Sequence, residues 1–224
     1  MVLVMQIVFI VTSCINVDAS PLSYFHTRSV FSSEERLEQT IVTLQKIREK
    51  IPNVTIILAN NNHLTPEQET TLKPYCDHIF ILDNNLVRTS PNKSFAECSA
   101  LLNACHKIQE LQIPFDYLFK TSGRYFLMPE FNIQNWPFSE TRIVSPRSGD
   151  GVVNNVLYSV HHSRLPYYMD RLQQFVHKCQ TANKPYGVEG DLFDFNNPEV
   201  HQFLTIPAYV AGMCAVQPRI MWQC

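Results

Sequence analysis

Short, continuous apolar runs separated by longer stretches of helical periodicity constrain this chain more than any other feature. The runs are "VTIILA" (Val54–Ala59), "HIFILD" (His78–Asp83) and "FDYLFK" (Phe115–Lys120), preceded by an apolar N-terminal segment. Between them, Leu37, Ile41, Leu44, Ile47 and Ile51 recur at helical spacing behind a Ser32/Glu35 capping box, and Pro52 closes that helix. Thr65-Pro66-Glu67 opens a shorter helix that stops before Pro74. Ser94 to Leu111 places Phe95, Cys98, Leu101, Leu102, Cys105 and Ile108 on one face. Strands that are apolar without alternation are buried on both sides, and helical crossovers supply the cover. The expected fold is therefore α/β, a Rossmann-like, mainly parallel central sheet flanked by helices, with strands near 3–12, 54–59, 78–83 and 115–119.

The second half is less regular. "RIVSP" and "VVNNVLYSV" read as further strands, Leu165 to Cys179 as a helix, and the tail rich in Gly, Pro and aromatics has no clear assignment. No linker or repeat divides the 224 residues, so one domain is expected over 1–224, with a ligand-binding half at 1–127 and a second half at 128–224.

A net charge of −2 argues against nonspecific binding to nucleic acid or to an anionic membrane, so any anion site must be local. The seven cysteines include no CxxC pair and read as buried thiols of a reducing compartment. The sequons at Asn53 and Asn92 are read as inert. The first twenty residues resemble a signal peptide in apolarity, but no Lys or Arg precedes Arg28, and the β-branched Val2, Val4, Ile7, Val8, Ile10 and Val11 favour a buried strand. The expected location is cytoplasmic, with no integral membrane segment.

In open parallel sheets, ligands bind beyond the carboxyl ends of the strands. Three polar segments fall there: 16–31, 83–93 and 120–125. They offer Arg28, Asp83, Lys93, Lys120, Ser122, Gly123 and Arg124 as candidate ligand-binding residues. The segment "FDYLFKTSGRYFL" is the most telling, because a hydrophobic strand leaves its core on two cations around a Ser-Gly turn. Arg36 on the first helix reads equally as an ordinary surface residue. His161-His162 lacks a partner at metal spacing, and neither a Gly-x-Ser-x-Gly elbow nor a Gly-rich phosphate loop is present.

"DYLFKTSGRYFL" resembles the segment of GT-A-type glycosyltransferases in which the strand after the nucleotide-binding half ends in an Asp-x-Asp turn. It is also similar to a Lys-x-Ser-Gly-Arg-Tyr segment of uncharacterised glycosyltransferase-like proteins from large DNA viruses and microbes, as is "RSVFSSEERLEQT". The resemblance implies a GT-A-like fold, a nucleotide-sugar donor and a glycan or other hydroxyl acceptor. Here Ser122, Gly123 and Arg124 stand where the aspartates would hold a divalent metal. That departure removes the hard-oxygen ligands, so no cofactor is firmly implied and no metal ligands are assigned. An arginine fork can neutralise a diphosphate instead. The resemblance also implies a late catalytic carboxylate, and "YGVEGDLFDF" supplies Glu189 and Asp191 as candidates for the general base. Two other readings stay open: a non-catalytic nucleotide- or glycan-binding domain of the same fold, and a nucleotidyltransferase.

Overall fold

A computed structural model describes residues 5–18, 20, 22, 27–146, 156–181, 197–204, 207–213 and 221–223. The chain runs β1 (Ile7–Ser13), α1 (Ser33–Lys50), β2 (Thr55–Asn61), α2 (Pro66–Leu72), β3 (His78–Leu82), α3 (Asn85–Thr89), α4 (Lys93–Glu110) and β4 (Tyr117–Ser122). There follow β5 (Tyr125–Leu127), β6 (Ile143–Ser145), β7 (Tyr158–His161), α5 (Leu165–Thr181), β8 (His201–Phe203), β9 (Val210–Met213) and β10 (Met221–Gln223).

Seven strands form one sheet in the order β3-β2-β1-β4-β7-β6-β8. β1 pairs in parallel with β2 and with β4, β2 with β3, and β6 with β8. β7 runs against both β4 and β6, making it the one reversed strand among those described in this sheet. A smaller sheet, β10-β9-β5, is antiparallel and accounts for part of the tail that the sequence left unassigned. Of "VVNNVLYSV", the described strand is Tyr158–His161, while residues 151–155 lie outside the described residues.

Side chains alternate across a strand, and the core divides accordingly. Phe9 and Val11 of β1, with Ile56, Leu58 and Phe119, pack on α1 through Leu44 and Ile47. Val8 and Ile10 point the other way and, with Ile57, Ala59 and Leu118, meet Cys98, Leu101 and Cys105 of α4 and Leu172 of α5. Both faces are covered, as unbroken apolar strands require. Phe9 stacks on Phe119 at 5.3 Å between ring centroids, and Trp136 meets Phe119 edge-on at 5.0 Å.

Local signals set the helix starts. Ser32 and Glu35 form the reciprocal cap of α1, and Thr65 and Gln68 do the same for α2, with Pro66 at its first turn. Asn92 is buried as the N-cap of α4, its side chain accepting from the Ser94 N–H at 2.9 Å. Among the described residues, Cys14, Cys76 and Cys105 are free thiols. No described helix is long and apolar enough to cross a membrane.

From β1 the chain steps outward to β2 and β3, then returns past β1 to lay β4 on its other side. The carboxyl ends of β1 and β4 therefore flank the point where the winding reverses, which is where open α/β sheets leave a crevice.

Candidate functional site

A cleft of ≈ 690 Å³, counting the open solvent at its mouth, lies at that point. Its floor is the end of β1 (Thr12, Ser13, Cys14) and Ser122 at the end of β4. Asn61 at the end of β2, Val87 and Arg88 of α3, and Lys93, Ala96 and Glu97 of α4 form one wall. Val17, Arg28, Arg36 and Arg124 complete it. Among the described lining residues, five basic side chains (Arg28, Arg36, Arg88, Lys93 and Arg124) face a single carboxylate, Glu97.

Each cation is held by its own local device. The capping box of α1 sets Arg36 one turn into the helix, where its Nε donates to the Cys14 carbonyl and its Nη1 to Ser29 Oγ at 3.2 Å. Burial, and secondly the neighbouring Arg124, bring its pKa down to about 10, so Arg36 stays charged at neutral pH. Arg28 ties two loops together, donating to the carbonyls of Ser20 at 3.0 Å and Ser90 at 2.5 Å. Arg88 donates to Asn85 Oδ1 at 2.8 Å and lies 3.8 Å from the Asp18 carboxylate, while its buried Nε has no hydrogen-bond partner among the described residues. Arg124 is half-buried, its guanidinium 5.6 Å from the centre of the Tyr125 ring. The Cys14 thiol is pushed up by burial, against the pull of Arg36, Arg28 and Lys93, and is neutral at pH 7.

Of the residues anticipated from sequence, Arg28, Lys93, Ser122 and Arg124 come together in the cleft. Lys120 takes another place. It lies within β4 rather than on the turn, 2% exposed, in an ion pair with Glu97 Oε1 and 5.7 Å from the centre of the Tyr158 ring. The reason is the strand period: Lys120 shares a face with Leu118 and so points under α4, where Glu97 meets it. Thr12 Oγ1 donates to the same Glu97 oxygen at 3.4 Å.

Gly123 is not a lining residue. A Cβ there would come within 2.7 Å of Thr40 Oγ1 and 3.2 Å of Ser13 Oγ, so the glycine lets the β4–β5 turn rest against α1. Its N–H donates to the Thr12 carbonyl at 2.8 Å. Thr40 is fixed in turn by Ser13 at 3.1 Å and by its own bond to the Arg36 carbonyl at 2.8 Å. Gly123 thus links the placement of Arg124 to that of Arg36. Asp83 is exposed just past β3 and does not line the cleft. Glu189 and Asp191 lie outside the described residues.

Sequence reasoning did not single out Arg88, Asn61 or Cys14, and left Arg36 undecided. The available signal was position alone, since each lies at or just beyond a strand's carboxyl end or in the first turns of a flanking helix.

The residues at the turn do not fit a divalent metal. Ser122, Gly123 and Arg124 offer no carboxylate, and no group of three or more His, Cys, Asp or Glu among the described residues could hold a metal ion. The cleft's charges suit an anion instead.

No protein-family model and no curated protein matches the chain. Solved structures do. The glycosyltransferase GlyE of Streptococcus pneumoniae aligns over 90% of this chain with a TM-score of 0.53 at 12% identity. The alignment covers 45% of GlyE, so this chain spans less than half the length of that protein. A glycosyltransferase involved in glycosylation of the major capsid of PBCV-1 aligns over 89% of this chain and 81% of its own, with a TM-score of 0.49 at 10% identity. This second likeness falls too low to add weight. With its seven-stranded, mostly parallel sheet and flanking helices, the chain has a GT-A-like, glycosyltransferase-like α/β fold.

Proposed function

We propose that this chain is a glycosyltransferase that moves a sugar from a nucleotide-sugar donor to an acceptor hydroxyl, without a metal at the Asp-x-Asp position. One observation carries the reading: five basic side chains converge on the crevice between β1 and β4 of a glycosyltransferase-like fold, at a turn with no metal-binding acids. A departing nucleoside diphosphate gains negative charge on its terminal phosphate, and preorganised cations there stabilise the transition state. Arg124 and Arg36, brought close by the packing of Gly123 on Thr40, are the pair placed for that role. Arg28 and Lys93 add charge on the loop side and at the start of α4.

In the transfer step the acceptor oxygen bonds to the anomeric carbon as the carbon–oxygen bond to the diphosphate breaks. The acceptor proton passes to a carboxylate, for which Glu189 and Asp191 remain the candidates, and the electron pair leaves on the diphosphate. The test is a sugar-transfer and donor-hydrolysis assay over a panel of sugar nucleotides, with and without chelator, beside calorimetric binding. Turnover that persists in chelator and falls in Arg124→Ala is the expected result. Complete loss on chelation would overturn metal independence. Donor binding with no transfer to any acceptor would make the chain a binding domain of the same fold.

A further inference from the structure

Donors dominate the cleft, yet its α4 wall carries two acceptors whose hydrogen-bonding capacity is not used up. Asn61 is 6% exposed, its Nδ2 donating to the Ala96 carbonyl at 2.9 Å, and its Oδ1 is buried with no partner among the described residues. The next residue along, Glu97, meets Lys120 and Thr12 through Oε1, and its side chain is 27% exposed at the cleft, where a carboxylate can accept further donors. Both residues line the cleft. A buried acceptor without a donor costs free energy, and so marks a place where a bound ligand gains by supplying one.

We propose that Asn61 and Glu97 form a hydroxyl-reading wall that takes a vicinal diol of the ligand, while the five cations take its diphosphate. This rests on the reading of the cleft as a donor site. Phosphate oxygens are excluded from this wall, because carbonyl and carboxylate oxygens repel them. An amine is opposed by five neighbouring cations. A nucleobase edge presents acceptors beside its donors and would set them against the same oxygens. Adjacent hydroxyls can both donate, and a carboxylate accepts them in charge-assisted bonds. Lys120 fits this scheme from below, since it holds the Glu97 side chain in place without entering the cleft. The diol has two sources, the ribose of the nucleotide or the sugar it carries.

The experiment is calorimetric titration of the full chain with inorganic pyrophosphate, with the four common ribonucleoside diphosphates and their 2′-deoxy counterparts, and with a sugar nucleotide of the best-bound base. Pyrophosphate should bind, and one hydroxyl read by a carboxylate should make a ligand bind about tenfold tighter than its deoxy form. The comparison in the unaltered protein needs no variant. Asn61→Ala and Glu97→Gln, each checked for folding by thermal melting, should then erase the preference, with pyrophosphate affinity within about twofold in Asn61→Ala and equal or tighter in Glu97→Gln. Loss of the ribo-over-deoxy preference identifies ribose as the diol. Loss only of the increment that the attached sugar adds identifies the sugar. Pyrophosphate binding with no ribo or sugar preference, or preferences unchanged in both variants, would overturn this proposal and leave the anion site standing. Failure of every anion to bind would overturn the donor-site reading and this proposal with it.

Discussion

Two regions of one segment each carry a cation, and the fold treats them differently. Inside β4, Lys120 is 2% exposed, paired with Glu97 and set against the Tyr158 ring. Past the end of the same strand, half-buried Arg124 lines the cleft beside Arg36 and faces a space where further negative charge is welcome. Burial in the strand ties a charge to one internal partner and makes it a structural element. The turn beyond leaves a charge available for chemistry. Because the two positions share a segment, replacing each in turn separates stability from function.

The largest effect on stability should come from Lys120→Ala. Lys120 is 2% exposed but its partner Glu97 is 27% exposed at the cleft. The loss therefore comes from the cavity left under α4 and the missing contact with Glu97, at a cost on the order of 2 kcal/mol or more. Thermal and urea melts should show the loss; a variant as stable as the parent would break the distinction between the two cations. Arg124→Ala should do the reverse. Turnover should fall about 100-fold, as when a preorganised stabilising donor is removed, with stability changed by about 1 kcal/mol or less. Arg124→Lys should recover little of that rate, because an ammonium cannot present the planar fork. Parallel steady-state kinetics and melting curves decide this, and an Arg124→Ala enzyme at full speed would remove Arg124 from the mechanism.

Gly123 lies between the two regions and sharpens the comparison. Gly123→Ala forces a Cβ to within 2.7 Å of Thr40 Oγ1, an overpacking that costs roughly 1–2 kcal/mol. The displaced turn should carry Arg124 with it, so activity should drop as well. Pairing it with Thr40→Ala should restore part of both, and a double-mutant cycle showing no coupling would contradict the contact. The smallest effect is ionic. Raising salt from about 0.05 to about 0.5 M should weaken pyrophosphate binding several-fold, because the cleft is open and screened. The stability difference between the parent and Lys120→Ala should move less over that range, since a partly buried pair is screened less. Equal salt sensitivity of the two would deny that they occupy different environments.

Much of the frame was legible in the residues. β2, β3 and β4 coincide with the continuous apolar runs, α1 with its capping box and α5 with its apolar stripe, because period and capping are local properties of the chain. The position of the cleft was legible too, since Arg28, Lys93, Ser122 and Arg124, which line it, follow strands or begin a helix on the side where a parallel sheet leaves a crevice. Helix α3 was missed, being a single short turn set by Asn84, whose side chain accepts from the Leu86 N–H at 2.9 Å. The tail escaped because β9 and β10 are short and pair with each other and with β5, a partnership that no local pattern encodes.

What the sequence determined by itself was the alternation of elements and the end of the sheet at which polar residues gather. What only the tertiary structure decided was the partner of each charge. A strand's period of two puts Lys120 on the face of Leu118 and Ile10, but whether that face meets solvent, an apolar helix or a carboxylate depends on how α4 docks. Likewise Arg36 and Arg124 come from distant parts of the chain, and they meet because Gly123 lets the β4–β5 turn settle against Thr40 of α1. Secondary structure is written in neighbours a few residues apart. A charge's surroundings are fixed by long-range packing, because both the desolvation of a charge and the field of its neighbours depend on distance in space and not along the chain.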